Sequence, residues 1–339
     1  MKLLVSGGAG FIGSNFVRYV MEKHADCRVI NFDKLTYAGN PENLREVADD
    51  PRYTFVKGDI ADQVAVDALV EESKPDAIVN FAAETHVDRS IHGGLRDFVF
   101  ANVMGPQVLC EATKKFKVPL FIQISTDEVY GSLGLDDRAK FTEETAFAPN
   151  MPYAACKAGG DLVCRSYFQT FKTPIIVTHC SNNYGPYQFP EKFIPQTVFK
   201  ALADESVPIY GDGLYVRDWI HVNDHCRAID TLMTKGAPGE VYNIGADNER
   251  SNIDVVMMLR NILGKEIQTV RVADRPGHDR RYAIDAAKMM KLGWAPEYGR
   301  EKFEEGLRRT VGWYQENDVW VNQLRKRSVE MNPHIRVAV

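Results

Sequence analysis

The chain has 339 residues, 41 basic and 46 acidic, giving a net charge of −5, with 45% hydrophobic and 26% charged residues. This length suits about two domains of ordinary globular composition, and the acidic balance leaves no basic footprint for nucleic acid or an anionic membrane. No apolar run approaches the ~20 residues that cross a bilayer, and the six cysteines (27, 110, 156, 164, 180 and 226) include no C-x-x-C pair, which suits reduced thiols in a cytoplasmic protein with no metal site.

In chain order, Lys2 to Ser6 reads as a short strand, with a single charge and too brief an apolar run for a signal peptide. It stops at Gly7-Gly8-Ala9-Gly10-Phe11-Ile12-Gly13, and a helical pattern follows to about His24. Glycines at 7, 10 and 13 let a diphosphate approach backbone amides at a helix N-terminus, where the dipole favours negative charge. A second strand over 28–32 ends in Asp33, an acid placed to accept from an adenosine ribose and to repel a 2′-phosphate, which points to NAD over NADP. Residues 55–56 lead to Asp59, which either meets an adenine amine or caps a helix over 61–70. A buried strand over 76–81 opens onto a loop of small and polar residues, Ala82 to Ser90, in which His86 is either ligand-facing or simply solvated. A long helix is expected over 96–117. The alternation through Cys180 predicts an α/β fold with a doubly wound, mostly parallel sheet.

The stretch from Ile124 to Lys157 concentrates chemistry. Ser125-Thr126-Asp127-Glu128 follows an apolar strand, and Tyr153 and Lys157 stand at i and i+4 on one helix face. A hydroxyl, two carboxyls, a phenol and an ammonium form an acid–base set. The bland alternative is a solvated turn with Asp127 as a helix N-cap. After Cys180 the strand–helix rhythm breaks at Ser181-Asn182-Asn183-Tyr184-Gly185-Pro186, which is turn chemistry. Segments over 224–233 and 240–244 are expected to return to the first domain. Residues 297–333 read as helical, with Phe303, Leu307, Val311 and Tyr314 on a packed stripe. The expected division is 1–180 with 220–248 for the cofactor domain, and 181–219 with 249–339 for a second lobe.

Together these residues resemble the extended short-chain dehydrogenase/reductase superfamily and, within it, the nucleotide-sugar 4,6-dehydratases. The resemblance rests on the glycine motif at 7–13, Asp33-Lys34-Leu35-Thr36-Tyr37-Ala38-Gly39-Asn40, the loop from Glu84 to Ser90, Ser125 to Gly131, and Tyr153 with Lys157. It continues through Cys180 to Tyr187, Val216-Arg217-Asp218-Trp219 and Asp274-Arg275-Pro276-Gly277-His278-Asp279. It implies a Rossmann-type sheet, a smaller interleaved α/β lobe that binds substrate, and a homodimer paired through helices near 96–117 and 153–171. The implied cofactor is NAD, held by Gly7, Gly10, Phe11, Ile12, Gly13, Asp33, Lys34, Leu35, Thr36, Asp59, Ile60, Ala82, Ala83, Glu84, Ala101, Tyr153, Lys157 and Asn183. The implied substrate is a nucleoside-diphosphate glucose, dTDP-glucose first and UDP-glucose as the alternative. It would meet His86, Thr126, Asn182, Lys192, Phe193, Pro208, Ile209, Tyr210, Arg217, Asn252, Asp274, Arg275 and His278.

The implied chemistry is redox-neutral loss of water. Tyr153 is the base at the sugar C4 hydroxyl, its phenol lowered by Lys157 and the oxidised nicotinamide. Glu128 is the base at C5, Asp127 the acid at the C6 hydroxyl, and Thr126 the hydrogen-bond partner of the C4 oxygen. The same cofactor and Tyr153 would also serve a 4-epimerase or a decarboxylase, against which the Asp127-Glu128 pair speaks. A non-catalytic NAD-sensing protein would need neither the acids nor the Tyr153/Lys157 pair. Several positions depart from the family pattern: Ser6 and Pro106 each replace a threonine, Cys156 a serine, His179 an arginine and Ala246 a glycine, and His92-Gly93-Gly94 is unusual after Ser90-Ile91.

Overall fold

The computed structural model describes residues 1–331, with side chains through Leu324. The central strands are near-continuous runs of mostly apolar, buried residues, so both faces of one sheet are covered. Its strands and covering helices in chain order are β1 (Lys2–Ser6), α1 (Phe11–Lys23), β2 (Arg28–Asp33), β3 (Tyr53–Lys57), α2 (Gln63–Ser73) and β4 (Ala77–Asn80). They are followed by α3 (Val87–His92), α4 (Arg96–Val99), α5 (Gly105–Phe116), β5 (Phe121–Thr126), α6 (Pro152–Phe171) and β6 (Ile175–Cys180). Next come β7 (Asn182–Tyr184), α7 (Phe193–Leu202), β8 (Val207–Tyr210), β9 (Val216–His221), α8 (Val222–Lys235) and β10 (Val241–Ile244). The chain ends with β11 (Glu249–Ser251), α9 (Asn252–Leu263), β12 (Thr269–Val272), α10 (Ala287–Met290), α11 (Phe303–Glu316) and α12 (Asp318–Met331).

Seven strands form the large sheet in the order β10-β6-β5-β4-β1-β2-β3, and every pairing is parallel. Leu3, Val5, Val79, Ile122 and Ile176 pack on one face with α1 and α8 residues such as Phe16 and Ile229. Leu4, Ile78, Phe121 and Val177 pack on the other, against Val66, Leu109 and Cys164 from α2, α5 and α6. Two smaller sheets, β11-β9-β7 and β12-β8, belong to the segments after Cys180. A third apolar cluster there includes Trp219, Phe303, Leu307, Val311 and Tyr314, the stripe expected from helical spacing.

Several expectations change in detail. The helix expected over 96–117 is three pieces, because a wider π turn over Phe100–Met104 joins α4 to α5. Pro106 has no N–H to return to the preceding turn, so the helical ladder is interrupted there. Asn102 in that turn instead bonds the backbone of Glu84 from both ends of its amide, at 3.0 and 2.9 Å. Asp59 is not a helix cap: Asp62 caps α2, accepting from Val64 and Ala65, while Asp59 bonds Ala61 N and pairs with Lys34. Asp127 is not an N-cap either, since Thr126 holds that position by accepting from Glu128 N. The helix expected over 297–333 is α11 and α12, broken at Asn317. Residues 332–339 of that stretch and of the second lobe lie outside the described residues.

Candidate active site

Strands β1 and β4 are neighbours although β2 and β3 lie between them in sequence. At such a switch point the loops leaving the strand ends part, and a crevice opens. A cavity of about 400 Å³ lies there, walled by the glycine loop, the ends of β5 and β6, the start of α6 and segments of the second lobe.

The glycine loop fits a dinucleotide. Gly10 caps α1 with no side-chain partner and no acid follows in the first turn, so the helix N-terminus presents bare amides beside the cavity. A Cβ on Gly7, which has φ +73°, would lie 2.4 Å from Ala82 N, so only glycine brings β1 this close to the chain leaving β4. A Cβ on Gly10 would meet nothing nearer than 3.3 Å, which leaves room for a ligand. Asp33, at the end of β2, accepts from Ala9 N at 2.9 Å and Leu35 N at 2.8 Å, which fixes its carboxylate beside the loop.

Thr126, Asp127, Glu128, Tyr153 and Lys157 all border this one cavity. They arrive from two elements: β5 ends at Thr126 and turns into a 3-10 segment over Asp127–Tyr130, and α6 starts at Pro152. The buried oxygens Asp127 Oδ2 and Glu128 Oε2 have no hydrogen-bond partner among the described residues. Unpartnered buried acid oxygens are costly in a folded core and suit a ligand surface. Burial pushes Asp127 well above the usual carboxyl range, and Glu128 and Asp218 push it further against Arg217. Burial also raises Glu128, but Arg217, Lys192 and Arg275 pull it back, with Asp279 opposing them. The two adjacent acids therefore differ in surroundings. Asp127 is held toward its neutral form, while three cations favour the anion at Glu128.

Lys157 donates to the Ile124 carbonyl at 2.7 Å, which anchors it under the strand end. Its ammonium is lowered by burial, against the pull of Asp161. The expected lowering of the Tyr153 phenol is not found in the chain alone. Burial, then Glu128, Cys180, Asp127 and Asp161 in turn, hold it well above its ordinary value. The chain's own groups thus keep a phenol here, and a phenolate needs added positive charge.

On the far wall, Arg217 is held by the Val216 carbonyl at 2.8 Å and the Asp279 carbonyl at 3.0 Å, with its guanidinium 4.2 Å from the Tyr282 ring centre. Arg275 lies 4.6 Å from the Tyr210 ring centre and 3.7 Å from Asp88. Both border the cavity, as do His86, Asn182, Asn183, Lys192, Phe193, Pro208, Ile209, Asn252 and His278. His278 is stacked on Tyr215 at 3.7 Å and lowered to about 4, chiefly by burial. Lys34, Leu35, Thr36, Asp59, Ile60, Ala82, Glu84, Ala101 and Asp274 are not among the residues lining the cavity, nor is Asp33. Lys34 pairs with Asp59, Glu84 with Arg89 at 3.0 Å, and Asp274 accepts from Tyr215 and faces His278. Asp88, Gln188, Trp219 and Tyr282 also line the cavity, although the sequence did not mark them as site residues, as does Glu191, which opens a segment expected to hold the nucleotide and diphosphate. Asp88 and Trp219 stand inside motifs already singled out, which was their signal, whereas Tyr282 comes from an irregular segment that carries none.

The family model described as GDP-mannose 4,6 dehydratase matches residues 4–310. A dTDP-glucose 4,6-dehydratase of Xanthomonas campestris pv. campestris is 49% identical over 338 residues, covering 94% of each chain. A dTDP-glucose 4,6-dehydratase of Bacillus anthracis, solved in complex with NAD, superposes with a TM-score of 0.89 at 49% identity, over 96% of this chain and 99% of that one. A Streptomyces venezuelae dTDP-glucose 4,6-dehydratase with NAD and TDP bound gives 0.89 at 46% identity, over 94% and 98%.

Proposed function

This chain belongs to the GDP-mannose 4,6 dehydratase family, among its dTDP-glucose 4,6-dehydratases, and on that footing we propose that it converts dTDP-glucose to the 4-keto-6-deoxy sugar and water with NAD as cofactor. The observation that carries this is the meeting of the glycine loop, Tyr153, Lys157 and the Thr126-Asp127-Glu128 triplet around one cavity. Bound NAD would supply an acceptor for the hydride leaving C4 and the same hydride back to C6 after water has left. Tyr153 takes the proton from the C4 hydroxyl. Lys157, buried and anchored to Ile124, stabilises the resulting phenolate by its charge. Thr126 donates to the C4 oxygen. A ketone at C4 acidifies the hydrogen at C5, which Glu128 removes, and Asp127 passes its proton to the departing C6 hydroxyl. Glu128 then returns a proton to C5.

The cofactor half is residues 1–180 with 220–248, and the substrate lobe is 181–219 with 249–339. The pairing of β10 with β6 supports that division. Arg217 and Arg275 are the diphosphate partners, since guanidinium forms paired bonds to phosphate oxygens, and His278, Lys192 and Asn252 complete that wall. The test is incubation of the pure protein with dTDP-glucose or UDP-glucose, with dTDP as competitor. A 4-keto-6-deoxy product from dTDP-glucose is expected. A C4 epimer formed without loss of water would overturn the reading.

A homodimer is supported by apolar exposure on neighbouring segments: Val99 on α4, Phe100 and Met104 on the π turn, and Leu162 on α6. Light scattering should give twice the 38.2 kDa chain mass, and a monomer mass at every concentration would count against it. All six cysteines are free and buried, which suits a reducing cytoplasmic setting. Cell fractionation tests that placement.

A further inference from the structure

Behind Lys157 lies a buried cluster to which the proposed reaction gives no part. His179 on β6 is 1% exposed and Asp161 on α6 is 3% exposed. His179 Nδ1 lies 2.6 Å from the Tyr130 hydroxyl, and Nε2 lies 3.3 Å from Asp161 Oδ2. The Tyr130 hydroxyl also lies 2.9 Å from Asn243 Oδ1. The Asn243 amide nitrogen donates to the Phe141 carbonyl at 3.1 Å, so its oxygen must face Tyr130.

These contacts fix the protons. Tyr130 has a single hydroxyl proton and gives it to Asn243. Its oxygen must therefore accept from His179 Nδ1–H. A neutral His179 would then turn a bare Nε2 lone pair toward the Asp161 carboxylate, and two acceptors 3.3 Å apart repel. Ser125 already spends its proton on the same Asp161 oxygen, at 2.6 Å, and cannot bridge them. One more proton is needed between Nε2 and Oδ2.

We propose that His179 and Asp161 share that proton, and that the neutral pair so formed is a positioning element for Lys157 and, through it, for Tyr153. Asp161 stands one helical turn after Lys157 on α6, and the two are electrostatically coupled. With the proton, the pair carries no net charge. Without it, a bare buried carboxylate draws the ammonium to itself and opposes the Tyr153 phenolate, as Asp161 already does among that phenol's neighbours. The ionisable groups around the pair are Tyr130 and Asp127 from the 3-10 turn, Tyr153, Lys157 and Cys164 from α6, Glu143 through Asn243, and Cys180 on β6. Of these only Lys157 is a cation. This inference rests on the roles given to Tyr153 and Lys157, but the proton itself can be detected without any turnover.

The first test is nitrogen NMR of the full chain labelled at histidine, with His179 assigned by the signal lost in His179→Gln. Either both ring nitrogens carry hydrogen, or Nε2 accepts a strong hydrogen bond while infrared shows a protonated carboxyl that Asp161→Asn removes. A free Nε2 beside an ionised Asp161 would overturn the proposal, whatever the enzyme's substrate. The second test is Asp161→Asn, whose amide can donate to Nε2 and keep the geometry with no proton to lose. The rise of C4 oxidation with pH should flatten at its alkaline end in the native protein and continue without flattening in the variant. Matching profiles would reduce the pair to packing.

Discussion

Asp127→Asn is expected to oxidise dTDP-glucose at C4 yet form the 4-keto-6-deoxy product about 10²–10⁴-fold more slowly, the span general acid catalysis usually contributes. An amide keeps the shape of the side chain and cannot release a proton to a departing hydroxyl. Burial and the neighbouring Glu128 hold Asp127 in its proton-bearing form, which is what a donor at neutral pH requires. Proton-bearing Asp127 is already neutral, so the amide leaves the charge facing Tyr153 unchanged and the oxidation step should not suffer. Transient NADH absorbance reads the first step and product analysis the second. An unchanged rate of water loss would remove Asp127 from the acid's place.

Tyr153→Phe should abolish the first step instead. The phenyl ring fills the same space, so binding of dTDP should persist while the NADH transient falls by about 10²–10⁴-fold. The sign of the pH effect follows from the surroundings. The base must be ionised to act, and in the chain alone its neighbours resist that. The oxidation rate should therefore climb as pH rises through the phenol's ionisation, and in the variant that rise should vanish. A variant that retains both the transient and its pH profile would place the base elsewhere. Lys157 has one donor bond fixed on Ile124, so its position does not depend on Tyr153 being intact.

What the sequence revealed was local. The glycines at 7, 10 and 13, the acid at 33 and the Tyr153/Lys157 spacing are short-range patterns with direct steric or helical causes, and the strands flanking them are apolar enough to be seen. The sense of the Tyr153 shift was not legible, because it comes first from burial and then from Glu128, Cys180, Asp127 and Asp161, all of which only folding supplies. Tyr282 was hidden for a similar reason: it stacks under Arg217 from a segment with no periodic pattern. The π turn over Phe100–Met104 could have been suspected from Pro106 but not placed, since it also depends on Asn102 reaching Glu84 across a loop. His179 was visible as an unusual residue. Its partners came from a helix, a turn and a strand separated by up to 113 residues in sequence, as between Tyr130 and Asn243.

The seventh strand of the large sheet is made late. β6 ends at Cys180, and the chain lays down β7, β8 and β9 in the other lobe before β10 returns to pair residues 241–244 with 177–180. A ribosome that has released only the first half of this protein holds a sheet with one flank open, and that flank is a strand buried along its whole length in the finished fold. The two lobes therefore cannot mature one after the other as separate beads. The nucleotide-sugar side must be threaded before the dinucleotide side is sealed, so damage to either is felt as a failure of both.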